Sequence, residues 1–360
     1  MADRQQSRAG TPRKGRGATG NDAGRYESFS CEHVDDGWGS ADEAPPPLRT
    51  SLTPDASRTV ISTNRSPDIP FDHSINPYRG CEHGCIYCYA RPTHAWLGLS
   101  PGLDFESKLF FKPDAAERLE KELSKPGYRC TPIALGSNTD PYQPSERKLG
   151  VTRSILEVLR DARHPVRIVT KGALVERDID LLVEMAGKNL CTVSVSVTTL
   201  DHQLARRMEP RATAPARRLR TIETLSRAGI PVNVLVAPII PVLTDAETET
   251  ILTRVREAGA CSAGYVLLRL PLEIKDLFRD WLSTHYPLKA KHVMARVRDT
   301  RGGKDYDAAF GRRMRGTGAY ADLIAHRFAL ALKRLGFPGD PELDTSLFRA
   351  PARSGQMTLF

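Results

Sequence analysis

Between about residue 60 and residue 348 the chain alternates short apolar runs with longer stretches of helical period. The apolar runs are Ile133–Leu135, Val166–Thr170, Thr192–Thr198, Val232–Val236 and Tyr265–Leu270. Several are almost continuously apolar, the pattern of strands covered on both faces. The stretches between them place apolar side chains three or four apart, as an amphipathic helix does. Pro113–Leu123 pairs Leu119 with Leu123, and Thr152–Ala162 pairs Ile155 with Leu159. Val175–Ala186 carries Val175, Ile179 and Leu182 on one face, and Ala216–Ala228 carries Leu219, Ile222 and Leu225. Gly229 and Pro231 are stop signals for the last of these. Thr244-Asp245-Ala246-Glu247 predicts a capping box ahead of Ile251, Leu252 and Val255. A further helix containing His326–Leu330 is expected to end at Gly336.

Strand and helix in strict alternation predict a parallel sheet with right-handed crossovers. A segment within Phe71–Tyr78 supplies a sixth strand ahead of the others. The expected fold is α/β, a partial (β/α)6 barrel of the TIM type, with a C-terminal helical extension and a disordered N-terminal tail. Functional residues are then expected at the C-terminal strand ends and in the loops that follow. The predicted organisation is a tail over 1–60, a barrel over 61–275, a helical and basic extension over 276–348, and a short tail over 349–360. The N-terminal assignment rests on abundant Gly, Ser, Arg, Asp and Pro with no apolar period.

Composition narrows the picture. The 360 residues are 40% hydrophobic, enough for a large core. No run of about 18 apolar residues predicts a membrane span. The first residues, MADRQQSRAG, lack the apolar stretch of a secretory signal. A cytoplasmic, reducing location is expected, in which the seven cysteines serve as thiols or metal ligands. The net charge is +9, and Lys289–Arg334 holds twelve Lys and Arg against four Asp and Glu. This basic segment is either a solvated face or a surface for phosphate-rich ligands, nucleic acid included.

The densest chemistry lies in Asn76–Arg91, where Cys81, Cys85 and Cys88 follow the spacing C-x3-C-x2-C. Three thiolates on a short Gly-containing loop suit soft metal chemistry. With no fourth protein ligand, an iron–sulfur cube keeps one open iron. A zinc site completed by His83 is the rival reading, in a nucleic-acid-binding protein without catalysis. Packing alone explains such a cluster of cysteines poorly. Cys130, Cys191 and Cys261 are read as buried thiols.

This loop, with Tyr87 as the aromatic residue before the last cysteine, resembles the signature of the radical S-adenosylmethionine (SAM) superfamily. Arg79-Gly80-Cys81 through Cys88-Tyr89-Ala90-Arg91 further resembles its spore photoproduct lyase-like (DNA-repair-photolyase-like) branch. Within that branch it is most similar to uncharacterised bacterial proteins with a C-x-H-x-C-x-Y-C-Y-A-R loop.

The resemblance implies a [4Fe–4S] cluster on Cys81, Cys85 and Cys88, with SAM on its open iron. Reductive cleavage of SAM would give a 5′-deoxyadenosyl radical that abstracts hydrogen from a substrate. A one-electron reductant such as flavodoxin or ferredoxin is the implied partner. Cofactor contacts are expected from Tyr87, from Thr139 and Asp140 after the second strand, from Lys171 after the third, from Ser196 on the fourth, and from Arg211. Arg269 is a candidate substrate contact, and Val236–Ile239 is expected to pack near the adenine. Ser137 occupies the place of the lyase's hydrogen-donating cysteine, so thymine-dimer repair is not carried over to this chain.

Overall fold

The computed structural model describes residues 12–27 and 47–352. Its strands are β1 (Ser51–Pro54), β2 (Ile61–Thr63), β3 (His73–Ile75), β4 (Tyr78–Arg79), β5 (Lys108–Phe111), β6 (Ile133–Leu135), β7 (Val166–Thr170), β8 (Cys191–Ser196), β9 (Val232–Ile239) and β10 (Ser262–Leu267).

Six of them, in the order β10-β9-β8-β7-β6-β3, pair in parallel as the wall of the expected partial barrel. β2 adds an antiparallel edge beside β3. A register line runs from Ser74 through Ala134 and Arg167 to Thr192, so the C-terminal strand ends open on one side. β6 is buried throughout and β8 nearly so, which explains their unbroken apolar runs. Outside the wall, Leu119, Ile155, Leu159, Leu182, Ile222, Leu225, Ile251 and Val255 of the crossover helices join the strands in one core.

A second, small sheet of β1, β5 and β4 flanks the barrel and was not foreseen. Its strands are short and polar at the exposed β1, so they carry little periodic signal.

Most helices follow the expected bounds, including Val151–Asp161, Pro215–Arg227 and Ala319–Leu335. Gly229 (φ +81°) and Gly336 (φ +59°) turn the chain out of helix as expected. The Val175–Ala186 helix divides into a tight turn, Ala173–Asp178, and a shorter helix, Ile179–Ala186. The capping box does not form. Thr244 Oγ1 accepts the amide of Ile240 at 2.8 Å, and Glu247 accepts from the Thr199 hydroxyl (2.6 Å) and the Leu200 amide (2.7 Å). Tertiary donors have displaced the local ones.

The stretch read as an N-terminal tail is built into the fold where it is described. Arg16 and Ala18 are buried, as is Val60. Residues 1–11 and 28–46 lie outside the described residues. Likewise Arg349 donates its amide to Ala162 O at 2.9 Å, while 353–360 lie outside. Hydrogen bonds to distant backbone hold these segments, and a search for apolar period does not detect them.

The C-terminal extension shares both cores. Phe328 packs on Tyr265 of β10 with ring centroids 4.7 Å apart. Phe278 and Trp281 of the helix Ile274–His285 pack with Cys85, Ile86 and Tyr87, and Trp281 Nε1 donates to Arg207 O at 3.0 Å. No helix of the described residues is long and apolar enough to cross a membrane.

Candidate active site

The loop Gly80–Arg91 lies beyond β3 and β4, at the C-terminal side of the barrel wall. Gly80 (φ +77°) and Gly84 (φ +67°) adopt conformations that disfavour a side chain, and each is also crowded. A Cβ on Gly80 would lie 2.6 Å from a Leu109 methyl, and one on Gly84 would lie 2.7 Å from Glu106 Oε2. Cys81 and Cys85 are buried, and Cys88 is partly exposed. Burial pushes the Cys85 thiol up to about 12, against the opposing charge of Lys171. Burial, Asp140 and the neighbouring sulfurs push Cys81 the same way. These are thiols that only a bound cation would hold as thiolates.

Arg91 fastens the loop. Fully buried, it donates Nε to Cys85 O (2.8 Å), one terminal nitrogen to Pro101 O and Gly102 O, and the other to Gly84 O (3.1 Å) and Glu106. Glu106, also fully buried, accepts in addition the amides of Gly17 (2.9 Å) and Ala18 (2.8 Å). Arg16 donates to Glu106 O at 2.6 Å and Leu48 O at 2.7 Å. The N-terminal arm therefore lies across the cysteine loop. Gly17 touches it so closely that a Cβ there would fall 1.8 Å from Gly84 O.

Asp140 ties the next two strand ends to the loop. Its carboxylate accepts from Tyr142 N (2.9 Å), the Thr170 hydroxyl (2.7 Å) and Lys171 N (2.7 Å), and faces His83 Nδ1 at 3.2 Å. Burial alone would raise its pKa, but His83 and these donors hold it down at about 2. Every oxygen is thus occupied by protein, which is the capping role that an Asp in a Pro-punctuated turn also predicts. Thr139 is buried and donates its hydroxyl to Tyr78 O at 3.0 Å. Asn76 Oδ1 receives the amides of Asn138 and Thr139.

Lys171 faces the interior of the site. Its Nζ lies 5.8 Å from the centre of the Tyr87 ring. Burial would lower its pKa, but Cys85 and Glu209 outweigh that effect and raise it. It forms no ion pair among the described residues. Ser196, buried at the end of β8, gives its carbonyl to Arg218. The Tyr87 hydroxyl donates to Glu209 and lies 3.2 Å from Thr198 Oγ1, which in turn reaches Ala237 O at 3.3 Å. Arg211 is half-exposed and pairs with Glu82 of the cysteine loop at 3.1 Å. That contact uses one of its terminal nitrogens.

Several site residues escaped the sequence reading. The buried pair of Arg218 with Glu209 stands behind Tyr87, and the buried pair of Arg91 with Glu106 stands behind the loop. Arg16 to Ala18 close over it. Arg91 falls in the recognised motif, which was the available signal. Glu106 and Glu209 come from unrelated segments and had none. Cys191 is buried as expected, but Cys130 and Cys261 are only partly covered. Among the described residues, no three Cys, His, Asp or Glu side chains converge as they would around a single metal ion.

A parallel half-barrel that carries a three-thiol loop at its C-terminal mouth defines a class of cluster-dependent proteins. The family model of the Radical SAM superfamily matches residues 75–255. The chain belongs to the radical SAM superfamily, enzymes that use a [4Fe–4S] cluster with SAM and take their electron from an external donor. An uncharacterized protein of Mycobacterium tuberculosis is 37% identical over 221 residues, covering 61% of this chain and 65% of its own length. One from Methanocaldococcus jannaschii is 28% identical over 213 residues, covering 59% and 76%. The chain thus spans just under two thirds of the mycobacterial relative. Spore photoproduct lyase complexed with dinucleoside spore photoproduct superposes with a TM-score of 0.57, covering 80% of both chains at 15% identity. A variant of that lyase with bound AdoMet and the same dinucleoside gives 0.56, covering 80% and 79% at 14%. At this identity the likeness is one of fold.

Proposed function

We propose that this chain is a radical SAM enzyme whose Cys81, Cys85 and Cys88 each hold one iron of a [4Fe–4S] cluster, and that it abstracts hydrogen from a nucleic-acid substrate. The observation that carries the cluster assignment is the loop itself: three thiols, with the candidate fourth ligand His83 turned to Asp140, and a frame of buried charge that fixes the loop's backbone. When bound and reduced, the cluster with SAM supplies methionine and a 5′-deoxyadenosyl radical.

The protein's part is to hold and shield these groups. Lys171 is the cation for the carboxylate of SAM, since it is partly buried, charged and free of a carboxylate of its own. Tyr87 backs the site, its ring oriented by Glu209 and Thr198. Ser196 and Thr139 line the strand ends. Asp140, fully engaged with protein groups, and Arg211, paired with Glu82, are positioning residues for Lys171 and for the cysteine loop, in place of the direct contacts the family resemblance implied. Support for a nucleic acid comes from the basic C-terminal segment and from the dinucleoside bound by the lyase of similar fold. Ser137 carries no thiol, so the proposed reaction does not return a hydrogen atom from that position.

Anaerobic reconstitution tests the reading. About four irons per chain and reductant-dependent formation of 5′-deoxyadenosine are expected. Cys85→Ala should lose the cluster. One tetrahedral zinc per chain, with no SAM cleavage by the reduced protein, would replace this reading with the zinc-stabilised binding protein.

A further inference from the structure

Two buried arginines of the site meet a carboxylate: Arg91 meets Glu106, and Arg218 meets Glu209. Arg269 and Arg301, beside the C-terminal end of β10, do not. Arg301 is 1% exposed, yet it spends its terminal nitrogens on the carbonyls of Leu267, Leu268 and Arg312, and its Nε has no partner. Arg269 has an unpartnered, buried Nε as well, and its one polar contact is a long one to the Met314 sulfur at 3.5 Å.

The nearest acids are spoken for. Asp68 accepts from Gly311 N and Arg313, and Asp307 accepts from Ala309 N (2.9 Å) and faces Arg312 at 3.3 Å. Burial and the nearness of Arg269 together push the Arg301 guanidinium down to about 10. Two like charges are therefore held close together in partly dry surroundings, with Asp68 near Arg269 and Asp307 near Arg301 but neither carboxylate bonded to them. Such an arrangement is unfavourable until an anion arrives.

The location is informative. The Arg269 guanidinium carbon lies over the Tyr89 ring, 4.9 Å from its centre. Tyr89 follows Cys88 directly and donates its hydroxyl to Ser137 O. A cation–π contact of this kind anchors the guanidinium, while among the described residues its terminal nitrogens make no bond other than the one to Met314. Arg315 lies 4.2 Å over the Tyr265 ring within β10, and it too forms no ion pair among the described residues.

We propose that Arg269, held over Tyr89 and backed by Arg301, is an anion subsite that binds a phosphate of the substrate beside the cysteine loop. The Arg269 fork matches the bidentate geometry of a phosphate oxygen pair, and the Arg301 charge behind it, whose own nitrogens are bonded to carbonyls, adds to the attraction. The inference deepens the proposed function, taking from it only that substrate enters above the Cys81–Cys88 loop.

The test measures binding without reductant or SAM. The cluster-loaded full chain is titrated with pyrophosphate and, separately, with a fluorescent oligothymidine. Wild type should bind at low salt, and Arg269→Ala and Arg269→Gln should each weaken binding at least tenfold with unchanged thermal melting. In the oligothymidine arm the variants should also lower the salt dependence by about 0.7 in the log–log slope, one phosphate's share. Binding in the pyrophosphate arm alone assigns a free phosphate ester, and binding in the oligothymidine arm assigns a nucleic-acid strand. No binding in either arm, or variants that bind as tightly as wild type, overturns the subsite. Loss of SAM cleavage in wild type would overturn the enzyme reading without touching this result.

Discussion

The guanidinium of Arg91 and the carboxylate of Glu106 form an ion pair with no exposed surface on either side chain, and through it three separate segments hold the cysteine loop. Arg91 takes the loop's carbonyls, and Glu106 takes the amides of the N-terminal arm. Glu106→Ala would strand a buried cation, a change that costs about 3–5 kcal/mol. Urea denaturation of the apoprotein should show a loss of that size, and iron content after reconstitution should fall with it. An unchanged midpoint would mean that the arm and the loop are held by other contacts.

Gly17→Ala probes the arm alone. The new Cβ has no room beside Gly84 O, so the arm must lift from the loop. The variant should assemble its cluster and then bleach faster in air than wild type, with new proteolytic cuts between residues 12 and 27. Equal bleaching rates would show that the arm does not shield the cluster.

Lys171→Ala should weaken SAM binding by about tenfold to a hundredfold, the range of one charge-assisted contact of about 1.5–3 kcal/mol. Equilibrium dialysis of cluster-loaded protein gives the affinity, and iron content serves as the control. Unchanged SAM affinity would make Lys171 a structural cation for Glu209 and Cys85.

His164 makes stability depend on pH. Its ring is buried, accepts from or donates to the Tyr128 hydroxyl at 2.8 Å, and lies 3.0 Å from Pro165 O. Burial, with a smaller contribution from His73, lowers its pKa from 6.5 to about 4, despite the opposing bond to Pro165. The unfolded chain therefore binds a proton between those values that the folded chain refuses. Full stability holds above pH 6.5, and up to about 1.4 kcal/mol per pH unit is lost as pH falls toward 4. Thermal melting across this range should show the slope, and His164→Gln should flatten it.

The barrel was legible because strands covered on both faces and helices with one apolar face leave their periods in the chain. Ile133–Leu135 and Val166–Thr170 were located to the residue. Cys81, Cys85 and Cys88 were legible for a related reason: ligands for one cluster come from one short loop, so spacing records them. The capping box at Thr244 shows the reverse. Its local pattern was present, but Thr199 and Leu200, remote in sequence, offered Glu247 better-placed donors.

By itself, then, the sequence determined the strand order's raw material, the three-cysteine loop and the excess of positive charge. Tertiary structure alone decided which charges are satisfied. It gave Arg91 to Glu106, Arg218 to Glu209 and Arg211 to Glu82, and among the described residues it left Arg269 and Arg301 without an ion pair. It also turned part of an apparent tail into the strap over the cysteine loop. The physical reason is that periodicity reports local burial, whereas charge pairing and backbone clamps are set by which distant segments the fold brings within hydrogen-bond reach.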